Sequence, residues 1–134
     1  MKQYLLDTNI CIFYLQNKYN VVNQLEKVGR RNCYISEITV AELLYGAACS
    51  ANPEKHIAET RAFIEKFEIL HIYPALFVFA QTKATLRKQG LPIDDFDLLI
   101  GTTAVVNRII MVTENQKHLS RIPQIETENW IVRT

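Results

Sequence analysis

The amino-acid sequence predicts an α/β fold in which helices cover both faces of a central, mostly parallel, twisted sheet. Short apolar runs alternate with longer segments of helical periodicity along the chain, which is the pattern of parallel strands joined by crossover helices. Only four Gly and four Pro occur in 134 residues, and this scarcity favours long regular elements. A chain of this length buries about two-thirds of its surface on folding, so we expect a single domain over residues 1–134.

The first half of the chain predicts two strands and four helices. Residues 4–6 form a short apolar run that stops at a polar cluster, residues 7–9, and residues 33–36 form a second such run. The predicted helices cover residues 10–15, residues 21–28, residues 39–49 and a segment that starts at residues 52–54. The last of these carries an apolar stripe from Ile57 to Phe67 with the period of an amphipathic helix.

The second half predicts two more strands and two more helices. Residues 69–72 and 109–113 are apolar runs of strand length. A helix over residues 75–89 is predicted to end at Gly90, and another helix covers residues 94–107. The segment that follows is too short to assign to an element.

Charge, cysteine content and targeting signals limit the possible classes. The 15 Lys and Arg residues exceed the 14 Asp and Glu residues by one, which argues against a histone-like polycation. The chain shows no apolar signal-peptide segment, and its longest apolar stretch, residues 70–80, is too short to cross a bilayer. The cysteines are odd in number, lack a Cys-x-x-Cys pair and have apolar neighbours, so we expect buried reduced thiols: Cys11, Cys33 and Cys49. A cytoplasmic protein without a membrane partner is predicted.

Acidic residues follow or begin several of the predicted elements. Asp7 comes directly after the first strand, Glu42 lies near the start of the third helix, and Asp94 and Asp97 open the helix before the last strand. Ligands of open parallel sheets bind outside the carboxyl ends of the strands, where such acids would converge. Each acid also fits a helix cap, since Thr39 and Glu42 have the spacing of a capping box.

Converging carboxylates indicate a site for a hard cation and for phosphodiester chemistry. Mg²⁺ and Mn²⁺ prefer carboxylate oxygens to imidazole or thiolate, and such cations activate water for hydrolysis. A haloacid-dehalogenase-type phosphotransferase also has Asp after its first strand, but it needs a second Asp where this chain has Asn9. We find no serine-hydrolase elbow, Walker loop or dinucleotide glycine fingerprint in the sequence. The three histidines show no pairing that would indicate acid–base cleavage.

Four segments carry a family resemblance. They are LLDTN at 5–9, AELLYGA at 41–47, FDLLIG at 96–101 and VTEN at 112–115. In order and separation they resemble the PIN-domain ribonuclease family, and more narrowly the VapC toxins of bacterial type II toxin–antitoxin pairs. The KQGLP turn at 88–92 is also typical of this toxin branch. The resemblance spans almost the whole chain and implies a PIN-like three-layer α/β/α fold.

The resemblance also implies the roles of individual residues. Three carboxylates match the acids that bind Mg²⁺ or Mn²⁺ and are catalytic: Asp7, Glu42 and Asp97. Thr8 is expected to support Asp7, while Asn115 occupies a fourth catalytic position and, with Thr113, is expected to orient water or a phosphate oxygen. Toxins of this branch often carry Glu where this chain has His118, so the fourth position is neutral here, and the neighbouring acid, Glu114, is off by one.

The implied function is that of a metal-dependent endoribonuclease toxin that hydrolyses transfer or ribosomal RNA and is neutralised by a VapB-like antitoxin. Homodimers and toxin–antitoxin hetero-oligomers are implied as well. Four cations are candidates for RNA contact: Lys83, Arg87, Lys88 and Arg108. Tyr14 and Tyr45 are candidates for base stacking, but their apolar neighbours favour packed core positions. A non-catalytic PIN-like module that binds RNA or a partner remains the alternative, because the fourth position is neutral.

Overall fold

A five-stranded sheet forms the centre of the computed structural model, which describes residues 1–133. The strands are β1 (Tyr4–Leu6), β2 (Cys33–Ser36), β3 (Glu68–Leu70), β4 (Ile110–Val112) and β5 (Thr127–Glu128). Their order in the sheet is β3-β2-β1-β4-β5, and every adjacent pair is parallel. Because β1 is central, its carboxyl end lies between those of β2 and β4.

Seven α-helices accompany this sheet within residues 1–133. They are α1 (Thr8–Leu15), α2 (Val21–Val28), α3 (Glu37–Ala48), α4 (Pro53–Ile64), α5 (Leu76–Lys88), α6 (Asp95–Asn107) and α7 (Gln116–Leu119). None of them, in this described part of the chain, is long and apolar enough to cross a bilayer.

The sheet separates two hydrophobic cores, because neighbouring side chains of a strand point to opposite faces. Leu6 packs in a core with residues of α1 to α4, such as Ile10, Leu25 and Phe63. Leu5 packs in the other core with residues of α5, α6 and α7, such as Leu98. The predicted three-layer α/β/α fold is therefore confirmed, with a sheet that is wholly parallel.

Two helices begin earlier than predicted, because the residues that cap them differ. Helix α1 starts at Thr8, since the Asp7 carboxylate accepts the Thr8 amide hydrogen at 2.8 Å. Helix α3 starts at Glu37, since the Ser36 hydroxyl accepts the Ile38 amide hydrogen at 3.1 Å. Thr39 is thus the third residue of α3 rather than its cap, and the alternative of a capping box between Thr39 and Glu42 does not hold.

The edge strands depart most from the prediction. The third strand covers Glu68–Leu70 rather than residues 69–72, because the Ile72 amide donates to the Glu37 carboxylate at 2.7 Å instead of joining the sheet. Strand β5 was not predicted, and it pairs with β4 through Met111 and Thr127. The cysteine prediction was partly wrong, since two of the thiols are buried and Cys49 is exposed.

Candidate active site

Asp7 lies at the carboxyl end of the central strand and is only 7% exposed. Its amide donates to the Val112 carbonyl at 2.9 Å, which fixes it beside the end of β4. Its carboxylate accepts two hydrogen bonds, from the Thr8 amide at 2.8 Å and from the Thr113 hydroxyl at 2.8 Å. Burial raises the pKa of Asp7, while the hydrogen bonds from Thr113 and Thr8 lower it. Asp7 therefore caps α1 and also belongs to the site.

A chain of hydroxyl groups connects the start of α1 to Glu42 on α3. The Thr8 hydroxyl donates to the Glu42 carboxylate at 2.7 Å. Because its only hydrogen is used there, the same oxygen accepts from the Thr39 hydroxyl at 3.0 Å. Thr39 is fully buried, so Glu42 is oriented by groups that are themselves fixed in the core. Thr8 thus supports Glu42 rather than Asp7 through its side chain.

Asp97 lies in the first turn of α6, after the helix cap formed by Asp94, whose carboxylate accepts the Phe96 amide hydrogen at 3.2 Å. Asp94 is therefore the cap, and Asp97 is left for another role. Burial raises the pKa of Asp97 from 3.8 to about 6, with further contributions from the negative charges of Asp7, Asp94 and Glu42. These charges act on Asp97 because the end of β1, helix α3 and the start of α6 bring the acids near one another.

The three predicted carboxylates line one cleft of about 620 Å³ at the carboxyl end of the sheet, which we call the acidic cleft. Its wall also includes two amide and two aromatic side chains, so that its principal residues are Asp7, Glu42, Asp97, Asn9, Asn115, Tyr45 and Phe96. The structure thus brings together the acids that the sequence indicated.

The donor set of the acidic cleft fits a hard divalent cation. All three carboxylates supply oxygen, the ligand type that Mg²⁺ and Mn²⁺ prefer, and a cation would relieve the repulsion that contributes to the raised pKa of Asp97. No three His, Cys, Asp or Glu side chains within residues 1–133 converge closely enough to enclose an ion. An open cleft suits Mg²⁺ in particular, because this ion retains several waters and takes only one or two direct carboxylates.

The fourth position holds Asn115 and His118 in place of a carboxylate. The His118 ring donates from Nδ1 to the Asn115 side-chain oxygen at 2.6 Å. The backbone N–H of Asn115 donates to the Thr113 hydroxyl at 3.0 Å. With its oxygen engaged by His118, the side chain of Asn115 retains its N–H groups for a ligand of the cleft. Thr113 thus holds both Asp7 and the start of this loop.

Glu114 does not replace the missing acid, because Arg133 binds it. The Arg133 guanidinium donates to both carboxylate oxygens of Glu114 and also donates to the Tyr19 hydroxyl at 2.8 Å. The hydrogen bond from Arg133 lowers the pKa of Glu114. The carboxylate closest in sequence to Asn115 is therefore committed to the C-terminal segment.

Comparisons with known proteins identify the family. The model of the family described as "PIN domain" matches residues 4–125. The chain is 34% identical over 131 residues to the tRNA(fMet)-specific endonuclease VapC of Shigella flexneri, which covers 97% of this chain and 99% of that relative. The chain belongs to the VapC family of PIN-domain proteins.

Two further comparisons agree with this assignment. Over 133 residues the chain is 35% identical to Ribonuclease VapC2 of Haemophilus influenzae, covering 98% of this chain and 100% of the relative. The structure matches the crystal structure of DNA-bound VapBC from Salmonella typhimurium with a TM-score of 0.89 and 34% identity, over 97% of this chain and 99% of that chain. The family assignment disfavours the haloacid-dehalogenase-type alternative.

The predicted RNA-contacting cations do not form one group in this PIN domain. Lys83 forms an ion pair with Asp95 at 2.9 Å, beside the start of α6, and Arg87 and Lys88 are exposed in the last turn of α5. Arg108 follows α6 and precedes β4, so it lies at the amino end of the strand whose carboxyl end reaches the acidic cleft. Arg108 is therefore separated from the acidic cleft by the length of the sheet, and RNA contact by each of the four cations stays a prediction.

Two aromatic residues of the acidic cleft were misjudged or missed from the sequence. Tyr45 was expected to pack in the core but is 72% exposed, whereas Tyr14 packs against Phe63 with ring centroids 5.0 Å apart. Phe96, adjacent to Asp97, is 49% exposed and lines the same cleft. The sequence could have indicated the exposure of Phe96, because this residue lies between two acids at the start of a helix, where a residue that faces the core is not expected.

Proposed function

We propose that this chain is the endoribonuclease toxin of a toxin–antitoxin pair and that its acidic cleft binds Mg²⁺ or Mn²⁺. The observation that carries the proposal is the convergence of Asp7, Glu42 and Asp97 in one cleft of a VapC-family fold. The three acids come from three different elements, and none of the helix caps requires Glu42 or Asp97. A set of purely capping acids would not share a cleft in this way.

The residues of the acidic cleft divide the work of phosphodiester hydrolysis. Asp7, Glu42 and Asp97 would hold the cation, one or two of them directly and the others through its bound waters, and the cation would lower the pKa of water and offset negative charge on the phosphate. Thr8 and Thr113 keep two of these carboxylates in place through the hydrogen bonds at 2.7 and 2.8 Å. Asn115 supplies N–H donors, which suit a phosphate oxygen. Mutual repulsion of the acids favours cation binding before RNA arrives.

The relatives indicate the partners. Solved structures similar to this chain are VapBC complexes from Salmonella typhimurium and Rickettsia felis, which supports a VapB-like antitoxin as the partner that neutralises this chain. A relative is named a tRNA(fMet)-specific endonuclease, so transfer RNA is the substrate that we propose. Self-association into a homodimer and assembly with the antitoxin into a hetero-oligomer are further proposals. The cytoplasmic location stays a prediction from the sequence.

Cleavage of bacterial transfer RNA by the purified chain tests this function. We expect cleavage with Mg²⁺ or Mn²⁺, no cleavage with a chelator, and none by the Asp7→Asn and Asp97→Asn variants. The Asp94→Asn variant is the matched control, because it removes a carboxylate of the same helix start while Asn remains a good cap. Cleavage that persists in the chelator and in Asp97→Asn would refute the role of the acids. RNA binding without cleavage by the wild type would favour a non-catalytic module, which is the alternative that the missing fourth carboxylate at Asn115 and His118 suggests.

A further inference from the structure

Two large aromatic side chains stand exposed inside the acidic cleft. Tyr45 on α3 is 72% exposed and Phe96 on α6 is 49% exposed, and both line the cleft together with the three carboxylates. Neither belongs to the two hydrophobic cores, and neither ring stacks on another ring within residues 1–133. The fold therefore gains little from these rings, although water-exposed aromatic surface is unfavourable.

The two aromatic residues lie on the same helices as two of the acids. Tyr45 follows Glu42 by three residues on α3, so the two side chains lie on the same face of that helix. Phe96 directly precedes Asp97 in the first turn of α6. Each of the two helices therefore carries one aromatic residue and one carboxylate that line the same cleft.

An unpaired nucleotide has the chemistry that this arrangement can bind. Its phosphate needs a cation or an N–H donor, which the carboxylates with their cation and Asn115 would provide. Its base can stack on an aromatic side chain, because bases that are not paired in a duplex stack on Tyr and Phe rings. A continuous duplex keeps its bases stacked internally, so it cannot use the rings.

We propose that Tyr45 and Phe96 form a base-stacking site for the nucleotides next to the scissile phosphate. This inference rests on the proposed ribonuclease function of the acidic cleft. Stacking on bases explains why both rings are exposed and why two helices each contribute a ring to the cleft that holds the acids. It also makes the two residues a specificity device, because only RNA with splayed bases gains their contribution.

Binding of short RNA to a cleavage-deficient chain tests the proposal directly. All variants are made in the Asp7→Asn background, and two probes are compared: a short single-stranded RNA, and an RNA of the same length with abasic residues at its centre. We expect Tyr45→Ala and Phe96→Ala each to weaken binding of the first probe by roughly 5- to 150-fold, the range of one lost stacking contact. Binding of the abasic probe should not change, because its phosphates are the same.

Three further variants separate stacking from a structural effect. Tyr45→Phe and Phe96→Tyr keep an aromatic face and should retain the affinity of the parent. Phe77→Ala is the matched control, since Phe77 is also 72% exposed but lies on α5 and does not line the acidic cleft. Its affinity for both probes should equal that of the parent.

Several results would overturn the proposal. Unchanged affinity of Tyr45→Ala and Phe96→Ala, or an equal loss for the intact and abasic probes, would show that the rings do not stack on bases. A change of oligomeric state in these variants without a change in RNA affinity would assign the rings to a protein interface. If the wild type cleaves RNA and the variants bind normally, only the base-stacking site is refuted. If the wild type fails to cleave but the stacking differences are found, the stacking site stands and the catalytic proposal fails.

Discussion

Replacing Asp97 by Asn should stabilise the cation-free protein, because Asp97 carries an unfavourable charge. Burial, together with the charges of Asp7, Asp94 and Glu42, raises the pKa of Asp97 from 3.8 to about 6. Well below pH 3.8 this carboxyl is protonated in both the folded and the unfolded chain, so its pKa difference does not lower the free energy of unfolding. Between about pH 4 and 6 the unfolded chain ionises first, the free energy of unfolding falls, and above that range the loss is constant. Asn resembles the neutral acid at every pH.

The size of the effect follows from the difference between the two pKa values. A difference of about two pH units corresponds to about 3 kcal/mol if it is fully retained. Asp97 is only partly buried, so solvent screening reduces this amount, and its favourable position at the start of α6 offsets a further part, roughly 0.3 to 1 kcal/mol. We therefore expect a net gain of about 1 kcal/mol above pH 7, which raises the melting temperature of a chain of this length by about 4 °C.

Thermal unfolding of the wild type, Asp97→Asn and Asp94→Asn at several pH values checks this prediction. The gain of Asp97→Asn should vanish towards pH 4, and Asp94→Asn should stay within about 0.5 kcal/mol of the wild type, because Asn also caps a helix. Saturating Mg²⁺ should reverse the order, since a cation at 100 times its dissociation constant adds about 2.7 kcal/mol to the wild type alone. Equal gains in both variants, or no gain in Asp97→Asn, would refute the charge repulsion in the acidic cleft.

Three other variants test separate parts of the account. Thr8→Val removes the hydroxyl that orients Glu42 and should weaken Mn²⁺ binding by roughly 10- to 100-fold in a calorimetric titration, whereas unchanged affinity would deny it a role. Ser36→Ala should cost about 1 kcal/mol in urea unfolding because α3 loses its cap, and a neutral result would reinstate the cap at Thr39. Arg108→Ala should leave the salt dependence of RNA binding unchanged, while a slope lower by about one would place Arg108 on the RNA.

The central strands could be predicted from the sequence because local information determines them. The bounds of β1 and β2 agree with the predicted residues, since each is a short apolar run between polar residues. The bounds of β3 depend on Glu37, which lies more than 30 residues away and withdraws Ile72 from the sheet. Strand β5 has no apolar run, and only its pairing with β4 makes it a strand.

The acids of the site could be located from the sequence, but the sequence could not decide whether each acid caps a helix or belongs to the site. A capping role for Glu42 and a site role give the same local spacing, and the decision comes from Thr8, a residue 34 positions away. The exposure of Tyr45 was not predictable either, because an aromatic residue among apolar neighbours on a helix usually packs in the core. Both distinctions depend on tertiary contacts that periodicity does not encode.

The chemical ends of the RNA products show whether water or the 2′-hydroxyl attacks the phosphate. If the acidic cleft with its cation hydrolyses RNA by means of water, the products formed by the purified chain in Mg²⁺ carry a 5′-phosphate and a 3′-hydroxyl. Mass spectrometry of a cleaved transfer RNA distinguishes these ends from those of attack by the 2′-hydroxyl. We predict 5′-phosphate ends that appear only with the cation and are absent with Asp97→Asn. Products with a 2′,3′-cyclic phosphate would contradict the account.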